Sequence, residues 1–483
     1  MQDKKIDSSF IFITLILSIW IYRFIILSNN DFGLYLDEAY YYNWAQHLDF
    51  GYYSKPPMLS YLIFLTTHLF GDGVVAIKIG SLLIYPITTV VIYLISYELF
   101  DDKKIALYSA LIFFTLPSMW LSSLIISTDV VLLLFWSLSL LFFIKALKYN
   151  LAKYWILAGI FSGFGLLSKY NFIFFLISVI LSMIFLPQFR KHFKNRYFYL
   201  AVLIAFLIFL PNLYWNYQND FISFSHTSEI SQIDKGLFHP NKLLEFFGAQ
   251  FLVFGPILFF YFWVIIFKRD VFKDDRFFIL FLFSIVTLAT ILTLSFLSRS
   301  FANWAAPTYI SATVLVVAYL VQKHKEWLLK LSVAISIVLG VLFYHYHFFA
   351  NILKIELTAK SDPYKRINGW IEISKEIQKV YKNYPNTTLL SDDRAEIALF
   401  DYYLKTKTYS YNPKKLTKHQ YHLTRDLNEL KNKNFLYVTK KDDIADMKKY
   451  FQNISKVKRV NIQVYKDFNR SYNIFYLQKF KGY

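Results

Sequence analysis

The 483-residue chain contains no cysteine, so disulfide bonds and thiolate metal sites are excluded. A disulfide-free chain suits either side of a membrane, and that absence leaves the compartment open. Charge is scarce too: Asp, Glu, Lys and Arg make up 18% of the residues, against about 25% in an ordinary soluble domain. Glycine and proline number only 14 and 12, no linker rich in either separates modules, and no internal repeat is evident. There is no Walker A loop and no dinucleotide glycine fingerprint, which argues against cytosolic nucleotide chemistry.

What fills the chain instead is apolar, with 56% hydrophobic and 20% aromatic residues. Runs of about 17–25 apolar residues are membrane-span candidates. Eleven occur, at 10–28, 74–99, 105–124, 130–147, 154–167, 170–187, 197–215, 248–267, 277–297, 304–322 and 327–349. The run at 154–167 is short, and only Ser168 and Lys169 part it from 170–187, so a tight re-entrant pair is an alternative there. Residues 58–70 are apolar but too short to span and are expected along the interface.

Lys4 and Lys5 precede the first run as they would a signal peptide. That run is longer than a usual signal core and no small-x-small site follows, so an uncleaved anchor is expected. The connections 1–9, 100–104, 145–153, 188–196, 268–276 and 323–330 carry about eighteen Lys and Arg, against about six on the opposite short loops. The positive-inside rule then puts the N-terminus in the cytoplasm and residues 350–483 outside. Residues 351–483 hold about 27 Lys and Arg against about 14 Asp and Glu, most of the net +19. In a membrane chain such an excess points to an anionic surface or substrate, not to nucleic acid.

Two domains are expected: a membrane module over 1–350, with its first outer loop at 29–73, and a basic domain over 351–483. In the second, Thr387–Ser391 and Phe435–Thr439 read as strands, and Arg394–Leu404 and Asp443–Phe451 as helices. Residues 457–465 and 473–480 are strand-like. The expected fold is a multispan α-helical membrane protein with a C-terminal soluble α/β domain.

The chemistry-bearing residues gather at the ends of the apolar runs. Asp37 and Glu38 open a tyrosine-rich segment beside the membrane, where two adjacent carboxylates are costly to keep. On a helix starting there Tyr41 shares the face of Asp37, while neighbouring carboxylates diverge, so one can face a cavity and the other anchor the loop. A helix cap is the simpler role for either acid. Lys55 stands before Pro56 and Pro57, which hold the backbone extended; a cation so fixed suits a phosphate group, or snorkels to head groups. Asp129 sits in Ile126-Ser127-Thr128-Asp129-Val130, as a cap or a site residue. Lys169 and Arg299 mark the outer ends of further runs. The long outer loop 216–247 carries His226, Glu229, Asp234 and His239, a set that can bind metal but matches no strong ligand spacing.

Taken together, these segments resemble the bacterial glycosyltransferase family 39 proteins, GT-C enzymes related to the aminoarabinose transferases of lipid A and to protein O-mannosyltransferases. The resemblance is carried by Leu36-Asp37-Glu38-Ala39-Tyr40-Tyr41, Tyr53-Ser54-Lys55-Pro56-Pro57, Ser127-Thr128-Asp129, Leu167-Ser168-Lys169 and Asn303-Trp304-Ala305-Ala306-Pro307, over roughly residues 10–350. It implies an enzyme of the bacterial inner membrane that uses a polyprenyl-phosphate sugar donor and acts on lipid A or lipopolysaccharide, with protein or another polysaccharide as alternative acceptors. It implies Asp37, with Glu38, as the catalytic carboxylate and Lys55 as the donor-phosphate contact. Tyr41, Tyr53, Asp129, Lys169, His226 and Arg299 are further candidates for holding phosphate or substrate. Aminoarabinose transferases have a glutamate implicated in metal binding before this lysine. Here Ser54 stands in its place, so no cofactor is assigned and a divalent metal stays open. A polytopic lipid or sugar transporter or flippase is the alternative from another class; it would place its polar residues at mid-bilayer and show paired halves with broken helices.

Overall fold

The computed structural model describes residues 8–29, 33–231 and 238–483. Lys4, Lys5 and Asp234 lie outside them. The chain divides into two compact units. The first runs to Asn29 and takes in Lys55–Leu62 and Lys78–His345; the second comprises residues 30–54, Ile63–Ile77 and Tyr346–Tyr483.

The first unit is built from apolar helices. Six among the described residues are long enough to cross a membrane: Ser8–Asn29, Val74–Phe100, Thr128–Tyr149, Arg196–Gln218, Asp275–Leu297 and Glu326–Tyr344. Three more candidates are bent pairs, Lys103–Thr115 with Pro117–Ser123 at 55°, Tyr170–Phe185 with Pro187–Lys194 at 112°, and Pro240–Val253 with Pro256–Ile266 at 116°. Counting each pair as one span gives nine. Two shorter helices, Ala152–Ser168 and Thr308–Gln322, take up the remaining two runs read from the sequence.

Several of those runs are not straight, and in two of them proline marks the break inside the run. The run 105–124 breaks at Leu116 and 248–267 breaks at Gly255. Pro117 and Pro256 lack the N–H that would continue the ladder, and Gly255 adopts φ +93°, open to glycine and strained for other residues. The short helix Ala152–Ser168 packs against Thr128–Tyr149 and Arg196–Gln218, whereas Ile173–Phe185 packs against Asp275–Leu297. Glycine makes the first packing close: a Cβ on Gly159 would fall 2.5 Å from the Ala201 carbonyl oxygen, and one on Gly163 2.7 Å from Ile208 Cβ. Small residues four apart let helix backbones approach in this way. Three buried hydroxyls are satisfied within their own helices: Ser137, Thr89 and Ser96 donate to the carbonyls of Leu133, Tyr85 and Ile92.

The second unit carries a five-stranded sheet. Its strands are β1 Thr387–Ser391, β2 Tyr409–Ser410, β3 Asn434–Thr439, β4 Phe451–Tyr465 and β5 Phe468–Phe480, in the order β2-β1-β3-β5-β4. β1 is parallel to β2 and β3, and β5 is antiparallel to β3 and β4. Helices Trp370–Tyr381 and Arg394–Leu404 accompany it, with Leu389, Ile397, Phe400 and Ile474 fully buried. The edge strand β4 bears Lys456, Lys458 and Arg459, charges that discourage further strand pairing.

The expected helix Asp443–Phe451 is instead a 3₁₀ turn, Ala445–Lys449, leading into β4. Ile444 and Met447 are its buried apolar anchors, too few for an amphipathic helix face. The strands expected at 457–465 and 473–480 lie within one long hairpin.

Residues from the first loop belong to this unit. Helix Leu36–Ala45 packs on Arg394–Leu404: the Leu34 N–H donates to the Tyr403 hydroxyl at 2.9 Å, and Asn43 Nδ2 donates to the Ala398 carbonyl at 3.4 Å. The Tyr402 hydroxyl donates to the Asp72 carbonyl at 3.2 Å.

Candidate active-site residues

Within the first unit the structure unites three residues that are far apart in sequence. Asp129 lies in the first turn of helix Thr128–Tyr149, where the helix dipole favours a carboxylate. Lys169 occupies the extended break between Ala152–Ser168 and the 3₁₀ turn Tyr170–Phe172. Its Nζ donates to Asp129 Oδ1 at 2.7 Å, and Asn303 Nδ2 donates to Asp129 Oδ2 at 2.6 Å. The ion pair is buried, with 9% of the Lys169 side chain and 8% of the Asp129 side chain exposed. Neither residue snorkels.

Asp129 and Asn303 line a cavity of about 590 Å³, otherwise walled largely by apolar residues such as Trp120, Leu133, Phe301 and Phe343. The bent pair at Pro117 shapes its wall. Arg23, fully buried, donates to the Phe114 carbonyl at 2.9 Å, a carbonyl close to the helix break, and its guanidinium lies 4.5 Å from the rings of both Phe114 and Trp120. Trp120 rests on Gly340, where a Cβ would come within 2.1 Å of its ring. An apolar cavity with one polar corner suits a lipid-borne polar group.

Lys55, also in the first unit, is partly buried directly before Pro56 and Pro57 and helix Met58–Phe70. Arg299 is exposed, its guanidinium 5.8 Å from the Phe301 ring. His226 lies on helix Ile222–Ser231, with Nδ1 3.9 Å from Glu229. The His239 N–H donates to the Phe296 carbonyl at 2.8 Å. Among the described residues no group of three potential metal ligands occurs.

In the second unit the acidic pair divides in two. Glu38 is fully buried, and its Oε2 accepts the Tyr35 N–H at 2.8 Å, the return bond of a capping box. Asp37 is 36% exposed, and its Oδ1 accepts from Arg394 Nη2 at 3.1 Å. Arg394 also lies 4.9 Å over the Tyr40 ring. Burial alone would lower its pKa, but Asp37, Tyr40, Tyr41 and Asp393 hold it above the ordinary arginine value. Tyr41 is buried edge-on to Trp44. Tyr53 is buried too, and its N–H donates to Gln420 Oε1 at 2.7 Å.

Sequence reasoning missed Arg394 and Gln420. Arg394 left one signal: a cation in the first turn of a helix opposes the dipole, so a carboxylate partner was to be expected. Gln420 left none.

The comparisons agree with this architecture. A family profile described as dolichyl-phosphate-mannose-protein mannosyltransferase matches residues 54–215, a stretch containing Lys55, Asp129 and Lys169. The chain is 30% identical over 398 residues to the lipid A galacturonosyltransferase RgtD of Rhizobium johnstonii, covering 82% of this chain and 83% of that one. Its fold matches the crystal structure of ArnT from Cupriavidus metallidurans in the apo state with TM-score 0.64 at 12% identity, over 97% of this chain and 98% of that one. The same protein bound to undecaprenyl phosphate gives TM-score 0.64 at 13% identity, over 96% and 97%.

A bundle of apolar helices with these polar corners, joined to a small mixed-sheet unit, has the make-up of a GT-C integral-membrane glycosyltransferase. The chain belongs to bacterial glycosyltransferase family 39, which sets aside the transporter and flippase alternative.

Proposed function

We propose that this enzyme transfers a galacturonosyl unit from a polyprenyl-phosphate donor to lipid A or a related lipopolysaccharide acceptor, at the periplasmic face of the bacterial inner membrane. The observation that carries the acceptor and the sugar is the likeness to lipid A galacturonosyltransferase RgtD over 82% of the chain. The polyprenyl-phosphate donor is supported by the family description, which names a dolichyl-phosphate sugar. The loop-charge asymmetry supports a cytoplasmic N-terminus and a periplasmic basic module over 351–483.

The chemistry assigns roles residue by residue. The acceptor hydroxyl attacks the anomeric carbon as the sugar–phosphate bond breaks, and direct displacement inverts the configuration. Asp37 takes the hydroxyl proton as general base, oriented by Arg394. Lys55 neutralises the charge that develops on the departing lipid phosphate. Asp129 and Asn303, with Lys169 behind them, form the polar corner that holds a substrate group in the apolar cavity.

Mass spectrometry of lipid A and envelope glycans tests the reaction. Deleting the gene should remove one hexuronic acid from a lipid A or core species, and restoring it should return the sugar. An unchanged lipopolysaccharide profile, with loss of a sugar from protein instead, would refute the acceptor. Lys55→Ala tests the donor contact. Loss of a charge-assisted phosphate contact costs on the order of 1.5–3 kcal/mol, so donor kcat/KM should fall about ten- to a hundredfold. Unchanged donor kinetics would remove Lys55 from the mechanism.

A further inference from the structure

Helix Leu36–Ala45 presents Asp37 at its start and a second polar surface at its end, about 10 Å further along at ~1.5 Å per residue. There, within the second unit, lies a cavity of about 160 Å³. At ~30 Å³ per water it holds roughly five waters, the size class of one sugar ring and not of a lipid chain.

One wall is aromatic and rigid. Trp44 and Tyr52 stack with centroids 4.5 Å apart and planes within 6°, and both are buried. The Tyr52 hydroxyl donates to the carbonyl oxygens of Trp44 or His47, at 3.2 Å each, and accepts the Asp49 N–H at 3.1 Å, pinning the loop. The facing wall is polar and equally fixed. Gln420 receives the Tyr53 N–H on its Oε1 and donates its own N–H to the Tyr40 hydroxyl at 2.6 Å, which commits its acceptor oxygen and leaves its amide NH₂ as the group to offer. Arg425 is neutralised by Asp401 at 2.6 Å and donates to the Thr408 carbonyl at 2.6 Å. Asn43, Asp49 and Lys407 also line the cavity, beside His47, Leu48, Tyr421 and Thr424.

We propose that this cavity is a saccharide-binding subsite that takes a pyranose ring bearing an anionic substituent. The Trp44–Tyr52 stack, its rings turned to each other and buried, backs the cavity as a rigid wall, so recognition falls to the polar groups. An amide pair and a carboxylate exchange hydrogen bonds with the hydroxyls of the sugar, which offer both donors and acceptors. Lys407 supplies the charge that Arg425, tied to Asp401, does not. Asp49 at the same cavity disfavours a bare anion, so the negative group must arrive on a ring that Asp49 can also hold. The sequence shows no sign of this pocket, because residues 43–52 and 407–425 meet only through the fold. The inference rests on the proposed glycosyl transfer for what the sugar is attached to, not for binding itself. The shared chemistry has two sources, a phosphorylated sugar of the acceptor or the uronosyl sugar of the donor.

Calorimetric titration of the full-length enzyme in lipid nanodiscs, with glucose 1-phosphate, glucuronate, glucose and inorganic phosphate, tests the proposal without turnover. At least one anionic sugar should bind saturably, about tenfold tighter than glucose, and inorganic phosphate should not compete. Glucose 1-phosphate as the tighter ligand assigns the site to the acceptor; glucuronate assigns it to the donor sugar. Lys407→Gln should bring the anionic sugar to the affinity of glucose, and Asp49→Asn should weaken every sugar. The proposal is overturned if no sugar binds, if phosphate alone displaces the sugar phosphate, or if Lys407→Gln leaves the titrations unchanged. A wrong acceptor or donor for the enzyme would leave these titrations intact, so the two readings fail separately.

Discussion

Asp37→Asn should lower sugar transfer by a hundredfold or more while the protein still inserts and accumulates at the wild-type level. General-base catalysis contributes roughly 10²–10⁴-fold, and an amide cannot take a proton from an acceptor hydroxyl. The substitution is nearly isosteric, and its amide oxygen can still accept from Arg394 Nη2 at the place Asp37 Oδ1 now holds. The helix start also survives, because Glu38, not Asp37, closes the capping box on Tyr35. A loss of transfer therefore reports chemistry and not folding. Glu38→Gln supplies the contrast: its side-chain oxygen can still accept the Tyr35 N–H, so turnover should stay within a few-fold, with the penalty read as lower thermal stability. The measurement is transfer to purified acceptor in membranes normalised to protein level. If Asp37→Asn retains transfer within a few-fold of wild type, Asp37 serves only to tie Leu36–Ala45 to Arg394, and the base assignment fails.

The parts of the molecule legible in the sequence are those written locally. Apolar runs long enough for a bilayer announce the helices. Thr387–Ser391 and Arg394–Leu404 were readable to the residue, because a β-branched pair before an apolar stretch and an Asp393 cap are local signals. The bends at Leu116 and Gly255 were missed although Pro117 and Pro256 stand there, since hydropathy averages over a break that costs no apolar residue. The helix Trp370–Tyr381 went unread although Trp370, Ile373, Ile377 and Val380 form its buried face; that apolar stripe opposite a charged face is itself a local helix signal. Pairings across the chain left little trace. Nothing near Asp129 says that its partners are 40 and 174 residues away, and nothing near Asp37 points to Arg394, 357 residues on. The individual residues could be singled out because a charge at the end of an apolar run is expensive, but which charge meets which is decided only by packing.

The buried pair of Asp129 and Lys169 is where that expense is largest. Lys169→Met removes the ammonium and leaves Asp129 among Trp120, Leu133 and Phe301 with only the Asn303 amide as an observed partner. Breaking one side of a buried ion pair costs about 3–5 kcal/mol, because the remaining charge is uncompensated. Detergent-solubilised Lys169→Met should therefore melt well below wild type and transfer little sugar. That result alone does not separate structure from chemistry. The double variant Asp129→Asn with Lys169→Met does. With both charges gone, an amide can bond to Asn303 and the methionine can fill the apolar space, so much of the lost stability should return. If the corner only holds helices Thr128–Tyr149 and Ala152–Ser168 together, transfer returns with stability. If it holds a polar group of the substrate, the double variant is stable and still transfers poorly, with the deficit in KM as well as kcat, and this is the expected outcome. A double variant with wild-type kinetics would reduce the pair to a structural clasp, and a Lys169→Met protein as stable as wild type would contradict the burial on which the argument rests.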